Sequence, residues 1–443
     1  MTVTDFDVRH IHLFQAHQDN ASEPTWVREK REAAFRLLDE LPWPVFEKMN
    51  ITDWPWFQFQ PFVAGRPVAN RDELPQAVQM ILKTYNQQAP TVVLENGDLI
   101  WEENTAALKD QGVLLVDLKR ALIDHEALVQ RFLFQGITGD HDRLIALQKN
   151  DRLLALSDAF WNGGLFVYVP KGVRVAEPIQ LMITAHGDGT GLLPRLIVAI
   201  EEDSELTFIE HRLSDEETTT VHNGVSEVFV GAGSRLRFVS VQAFGRKTYD
   251  HTRRYGTVGP NARLEWVFGE VGNAQGAALT VSNLVGEGGS ADVKMVSIGH
   301  GSEHHHFDLR NRHAAPHTES DVLAKGILLG AARHIYHVVT KIEKGARGSN
   351  GEQTARLMML SSEARGDANP ILLIDEHDVK ADHAASVGYV DESQLYYLMT
   401  RGLSRKEAER MLIFGFLEPV ISEVPVESVQ TYLYEAIERK FMQ

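Results

Sequence analysis

The sequence predicts a mainly β protein, with a parallel β-helix core flanked by N- and C-terminal α-helical domains. Three observations carry that expectation. From Trp161 to about Leu360 the chain consists of short alternating polar and apolar segments split by Gly, Asn and Asp, with no long helical run. Within that region a strand-like unit recurs: SELTFIEH from Ser204, SRLRFVSV from Ser234, ARLEWVFG from Ala262 and ADVKMVSI from Ala291. Its apolar anchors Leu206, Leu236, Leu264 and Val293 are separated by 30, 28 and 29 residues, and Val322 continues the series at 29. On both flanks, apolar residues return at helical spacing.

Taken in chain order, residues 1–160 form the first unit. Pro24 after Ser22-Glu23 opens a helix whose face is Trp26, Ala33, Ala34, Leu37 and Leu38, ending before Pro42. A second amphipathic run covers Leu74 to Tyr85. VVLENGDLI, Val92 to Ile100, predicts a small hairpin turning on Asn-Gly. Helical periodicity resumes over Leu118 to Phe134 and over Arg143 to Phe160.

The core unit, 161–388, opens with LFVYVPKGVRV. Between successive anchors lies a second strand-like piece, such as SEVFVG, LTVSNLVG or HIYHVV. Two short strands per ~29 residues, repeated without helices, match coils stacking on one another. A β-sandwich of antiparallel units is the alternative, but the steady register favours the solenoid. At roughly 4.8 Å per coil, about eight coils form a rod about 40 Å long, which needs capping at its ends.

The last unit, 389–443, is helical. Asp391 with Gln394 and Ser404 with Glu407 both resemble capping boxes, and Gly402 after Arg401 is a helix stop. The final helices run from Ser404 to Ile421 and from Val426 to Phe441. Leu395, Tyr396, Tyr397 and Leu398 crowd four large groups into one turn, more than one buried stripe uses, so this turn offers both core and an interaction patch.

Composition narrows the function. The chain has 443 residues, 43% hydrophobic and 24% charged, which is enough for a large core. No apolar run approaches the ~20 residues that span a bilayer, and the N-terminus lacks the plan of a signal peptide. A cytoplasmic address and no membrane partner are expected. Asp and Glu number 61 against 44 Lys and Arg, which argues against nucleic acid as a partner. The absence of cysteine excludes disulfides, a catalytic thiol, and any zinc or cluster site held by this chain's own thiolates.

Nineteen histidines remain as strong nitrogen ligands. His300, His304, His305, His306, His313 and His317 fall within eighteen residues. A cupin-type site needs a carboxylate four or five residues after His-x-His, and Arg310 and Asn311 stand there. An extended run also points successive rings to opposite faces. Surface or packing histidines are therefore expected, with a histidine-based β-helix or cupin-like metalloenzyme, resting on His304 and His306, as the alternative. There is no P-loop, GxSxG elbow or HExxH helix, and no recurring carboxylate pair for carbohydrate chemistry. No catalytic residue and no enzymatic activity are expected.

GGLFVYVPKGVRVAEPIQL from Gly163, HHFDLRNRHAAPHTESDVLAKGILL, QTARLMMLSSEA from Gln353, and DVKADHAASVGYVDESQLYYLMTRGLSRKEAERMLIFGFL resemble the SufB/SufD proteins of iron–sulfur cluster assembly. The resemblance runs from about Trp161 to the C-terminus. DVKxxH ahead of a QLxYLxxRG helix resembles the SufD branch. It implies a right-handed parallel β-helix between helical domains, and a scaffold role beside a SufB-like paralogue and a SufC-like ABC ATPase. It implies no cofactor held stably by the chain alone, but a transient iron–sulfur cluster at the interface with the paralogue. The Tyr396, Tyr397, Arg401, Gly402 segment then faces the ATPase. His383 matches the family histidine associated with cluster assembly, either as an imidazole ligand or as a hydrogen-bonding group across the interface. SufD proteins commonly have Cys where this chain has Ala381, so the cluster's thiolates belong to the partner. His377 has no counterpart and is expected on the surface. An isolated chain is expected to form a homodimer, and a homodimeric interaction protein with no cluster role remains the other alternative.

Overall fold

The computed structural model describes residues 13–15, 22–60, 64–138, 151–424 and 426–442. Two ten- and nine-membered runs of strands face each other across a shared lumen. The first sheet has the order β2 (Asp98–Glu103), β1 (Thr91–Glu95), β5 (Ile179–Ala185), β8 (Glu205–Ser214), β10 (Arg235–Ala243), β12 (Arg263–Glu270), β14 (Ser290–Gly299), β16 (Glu319–Leu328), β18 (Asn350–Met359) and β20 (Lys380–Tyr389). The second runs from β3 (Leu114–Asp117) through β4 (Gly163–Val169), β7 (Pro194–Ile200), β9 (Thr220–Val230), β11 (Thr248–Val258), β13 (Gln275–Leu284), β15 (His304–His313) and β17 (Arg333–Ile342) to β19 (Arg365–Ile374), with short β6 (Thr190–Leu192) beside β9. From β7 to β20 consecutive strands alternate between sheets and pair in parallel with the next coil. That is a parallel β-solenoid of about eight turns, and the parallel pairing excludes the sandwich.

Leu206, Leu236 and Leu264 occupy one register line, as the repeat predicts. At the next step the structure departs from the sequence alignment: Leu264 pairs with Ala291, and Val293 pairs with Trp266. The coil is two residues shorter than the anchors imply. A slip of two leaves every side chain on the same face, so apolar alternation does not reveal it.

The lumen buries Leu206, Phe208, Leu236, Phe238, Leu264, Trp266, Val293 and their opposite numbers Val228, Val258, Leu284, Phe307 and Tyr336. Each coil alone leaves an apolar face bare, and stacking covers it. The outer faces are clad by helices. Against the first sheet lie α2 (Gln76–Thr84), α5 (Arg405–Ile421) and α6 (Glu427–Met442), through Val78, Ile81, Ile413, Leu417, Leu433 and Ile437 on Val239, Val241 and Val296. Against the second lie α1 (Thr25–Leu37) and α3 (Arg152–Phe160).

The predicted helix over 118–134 is broken: Leu118–Asp124 and Glu126–Gln130 are separate turns that meet at His125, whose φ is −136°. α3 begins at Arg152, capped by Asp151 accepting from Leu154 N; the earlier part of that predicted helix, 143–150, lies outside the described residues. The hairpin is present, turning on Asn96 and Gly97 with φ of 53° and 96°. It has a second role: β1 pairs in parallel with β5. With β3 antiparallel to β4, the N-terminal region thus adds strands to both sheets and caps that end of the solenoid.

Candidate functional site

The two ends of the solenoid differ. At the far end, among the described residues, β20 pairs only with β18 and β19 only with β17, and each ends its sheet. Register assigns the faces. Gly351, Gln353, Ala355 and Leu357 point into the lumen, so their partners Ala381, His383, Ala385 and Val387 do too. On β19, Ala368, Pro370 and Leu372 follow lumen residues Tyr336, Val338 and Thr340. In every earlier coil such positions are buried. Here His383, Ala384, Ala385, Ser386, Val387 and Tyr389 are all exposed, and Ala368, Pro370 and Leu372 are half-buried.

This edge lacks the usual protection. Natural edge strands are blunted by charge, proline, bulges or a covering element. β20 carries Lys380 and Asp382 at its start, but His383 to Tyr389 contains no charge and no proline, and its ten-residue register with β18 is unbroken. Pro370 marks β19 as an edge, because a proline cannot donate to a further strand at its position. The N-terminal segment clasps only the outer side of β19: Asn369 Nδ2 donates to Glu47 at 3.2 Å, and Lys48 pairs with Asp367. Among the described residues, two strands' worth of lumen wall is left open.

His383 therefore sits on the lumen-facing side of the last coil, at its open mouth. Ala381, beside it on the same face, offers only a methyl group. His377 is exposed in the turn between β19 and β20, as expected of a surface residue.

From β20 the chain passes through buried Val390 into α4 (Glu392–Thr400). Asp391 caps α4 by accepting from Ser393 N at 2.8 Å, through Ser393 rather than the predicted Gln394. Ser404 and Glu407 do form a reciprocal capping box at α5. The crowded turn divides as its geometry demands: Leu395 is fully buried and Leu398 packs beside it with Ala408. Tyr396 and Tyr397 point outward, 71% and 57% exposed. Arg401 lies over the Tyr397 ring at 5.1 Å, and Gly402, with φ of 96°, ends the helix with open space around its Cα. Next to this knuckle, Leu403, Met411 and Phe414 floor a groove between α5 and α6, rimmed by Arg410 and Glu438, 2.6 Å apart.

The structure thus places His383 on one surface and Tyr396, Tyr397, Arg401 and Gly402 on an adjoining one. Sequence reasoning missed the open-coil residues Pro370, Leu372, Val387 and Tyr389. Asn-Pro inside a strand-like run was the available signal for an edge.

The histidine-rich stretch resolves as alternation predicts. His304 and His306 share the outer face of β15, where His306 is buried under Phe46, ring centroids 5.1 Å apart. His305 and His313 point into the lumen, and His313 is held by Thr318 and Ser320, each at 2.8 Å. His304 and His306 do not converge with any carboxylate pair into a ligand set among the described residues.

Two family models match this chain almost end to end. The SufBD protein N-terminal region matches residues 6–181, and the SUF system FeS cluster assembly SufBD core domain matches residues 182–416. The chain belongs to the SufB/SufD family of SUF-system iron–sulfur cluster assembly proteins. Within that family it is SufD-like. It is 34% identical over 430 residues to iron–sulfur cluster assembly protein SufD of Bacillus subtilis, spanning 96% of each chain. Against SufB of the same organism the identity is 24% over 414 residues, 91% of this chain and 87% of the relative. A SufBD family protein of Staphylococcus haemolyticus is 24% identical over 420 residues, 91% of this chain and 87% of the relative. No helix is long and apolar enough to cross a membrane among the described residues.

Proposed function

We propose that this chain is a non-enzymatic scaffold subunit of a SUF-type complex in the cytoplasm, pairing with a SufB-like paralogue and docking a SufC-like ABC ATPase. The observation that supports it most is the open terminal coil. Two ten-residue edge strands, with lumen-facing side chains uncovered, are a surface that another solenoid end of the same kind would complete. Backbone pairing along β20 supplies the affinity, and Ala385, Val387, Pro370 and Leu372 supply apolar contact.

His383 then lies inside that interface. A nascent iron–sulfur cluster assembled there is cargo, not a resident cofactor. This chain has no thiolate to give it, so the cluster's cysteines come from the paralogue, and His383 contributes an imidazole nitrogen as in histidine-ligated clusters. Tyr396, Tyr397, Arg401 and Gly402, with the adjoining α5–α6 groove, form the ATPase-facing surface. Exposed aromatic and arginine groups at a rigid helix end are the residue types that anchor protein interfaces.

The isolated chain pairs with itself through the same edge, an isologous contact. Co-expression with the paralogue and the ATPase tests the reading. A stable three-subunit complex carrying iron and sulfide is expected, and co-elution with neither partner would refute it.

A further inference from the structure

A separate cluster lies well away from the open coil, at the corner where chain segments cross from the first sheet to the second. Glu303, in the turn before β15, and His305 and His334, near the starts of β15 and β17, converge there. One ligand-type atom from each lies within 4.8 Å of the others, and all three residues are buried. The imidazole planes cross at 78° with centroids 5.2 Å apart.

Both rings are oriented by a hydrogen bond of their own. His334 Nδ1 is 2.8 Å from Ser297 Oγ, and His305 bonds the Ala274 carbonyl. In the tautomer that donates to Ser297 Oγ through Nδ1, His334 carries its lone pair on Nε2. Nε2 of His334, 1% exposed, has no hydrogen-bond partner. A buried ring nitrogen left bare is costly unless something else binds there. Burial holds both rings well below the ordinary histidine range, so both are the neutral form that ligates metals.

One cation already reaches the cluster. Lys440, in the last turn of α6, is buried, and its Nζ donates to Glu303 Oε2 at 2.7 Å, to the Ile298 carbonyl at 2.7 Å and to the Gly272 carbonyl. The lysine comes from outside the solenoid, while the histidines face it from within. The two carbonyls hold the ammonium without Glu303's help, so the carboxylate is not its sole anchor.

We propose that Glu303, His305 and His334 form a binding site for a divalent first-row transition metal, with the Lys440 ammonium as its competing internal cation. Two imidazoles and one carboxylate suit Zn²⁺, Fe²⁺ or Co²⁺, and the rings' bonds to Ser297 and Ala274 fix their orientation as outer-shell partners do. The ammonium supplies part of the positive charge that the carboxylate requires, so metal and lysine oppose each other. The last turn of the C-terminal helix, which carries Lys440 with buried Phe441 and exposed Met442 beside it, is the route in.

Co²⁺ added to the full-length chain tests this, read by its visible ligand-field bands and by metal analysis after desalting. Wild type is expected to take up about one Co²⁺ per chain and to melt at a higher temperature with it. Lys440→Met is expected to bind at least ten-fold more tightly, and His334→Ala to lose both the bands and the metal-dependent rise in melting temperature. Failure of millimolar Co²⁺ to shift the melting of wild type would overturn the proposal, whether or not the lysine variant folds. So would binding that survives in a folded His334→Ala chain.

Discussion

Acidification from about pH 7 to about pH 5 acts on imidazoles buried on both faces of the solenoid wall, under the cladding segments as well as in the lumen. Burial pushes His211 and His305 down to about 3, and His306 and His313 down to about 4. In the unfolded chain each titrates near ~6.5. With the folded value below the unfolded one, the unfolded chain binds more protons between those limits, so stability is lost as pH falls below about 6.5. Each imidazole then costs about 2 kcal/mol between pH 7 and pH 5, and the four together about 7 kcal/mol. Two carboxyls have the opposite sign. Burial pushes Glu303 up to about 7 and Asp321 up to about 6. They gain protons in the folded state first: Glu303 offsets about 2 kcal/mol over the same interval, and half-exposed Asp321, screened by solvent, no more than about 1 kcal/mol. The net expected loss is about 4 kcal/mol. His222, His251 and His334, also depressed mainly by burial, enlarge it, while Glu227 and Glu270, raised by burial, reduce it. Urea titrations followed by circular dichroism at the two pH values measure it. A midpoint that does not fall at pH 5 would refute the claim that these rings are held neutral by burial.

Three further outcomes follow from the surfaces and the lumen core. Val387→Lys places a charge on the lumen face of the open coil, and is expected to abolish pairing in size-exclusion chromatography while leaving the melting temperature within a few degrees of wild type. Tyr396→Ala with Tyr397→Ala removes exposed groups only. It is expected to weaken ATPase capture in a pull-down at least ten-fold, with stability changed by no more than about 0.5 kcal/mol. Trp266→Ala opens the lumen where Phe238 and Phe268 pack on the ring, and calorimetry should register a loss of about 3–5 kcal/mol.

Much of this architecture was legible because stacked coils impose both a period and an alternation. Leu206, Leu236 and Leu264 announce the coil length, and the parity of each strand assigns its lumen face. What parity cannot see is a shift of two, so the step from Leu264 to Ala291 departs from the anchor spacing without breaking the alternation. The N-terminal strands were hidden for another reason. Val92 to Ile100 reads as a local hairpin, and nothing in those residues states that β1 pairs with Gln180 to Thr184 of β5. Likewise, the run Leu118 to Phe134 keeps helical spacing across His125, where the backbone breaks.

The candidate site was half legible. The split between buried Leu395 and exposed Tyr396 and Tyr397 follows from crowding on one turn. The open coil left one trace, the Asn369-Pro370 pair in β19; β20 left none, since HAASVGY alternates like the buried strands before it. Only the absence of a next coil exposes it. The Glu303, His305 and His334 cluster was less visible still. His305 stood in view within the histidine-rich stretch, but its partner His334 is one coil away, and Lys440 lies more than a hundred residues further along the chain.

The most direct test of the scaffold reading is to purify the chain with its SufB-like paralogue and ATPase, and to count iron and sulfide on wild type and on His383→Ala. The account predicts that both assemble equally, because His383 is exposed and contributes to the cluster, not to the fold, and that the variant's iron and sulfide fall several-fold. Wild-type iron and sulfide on an intact His383→Ala complex would contradict it.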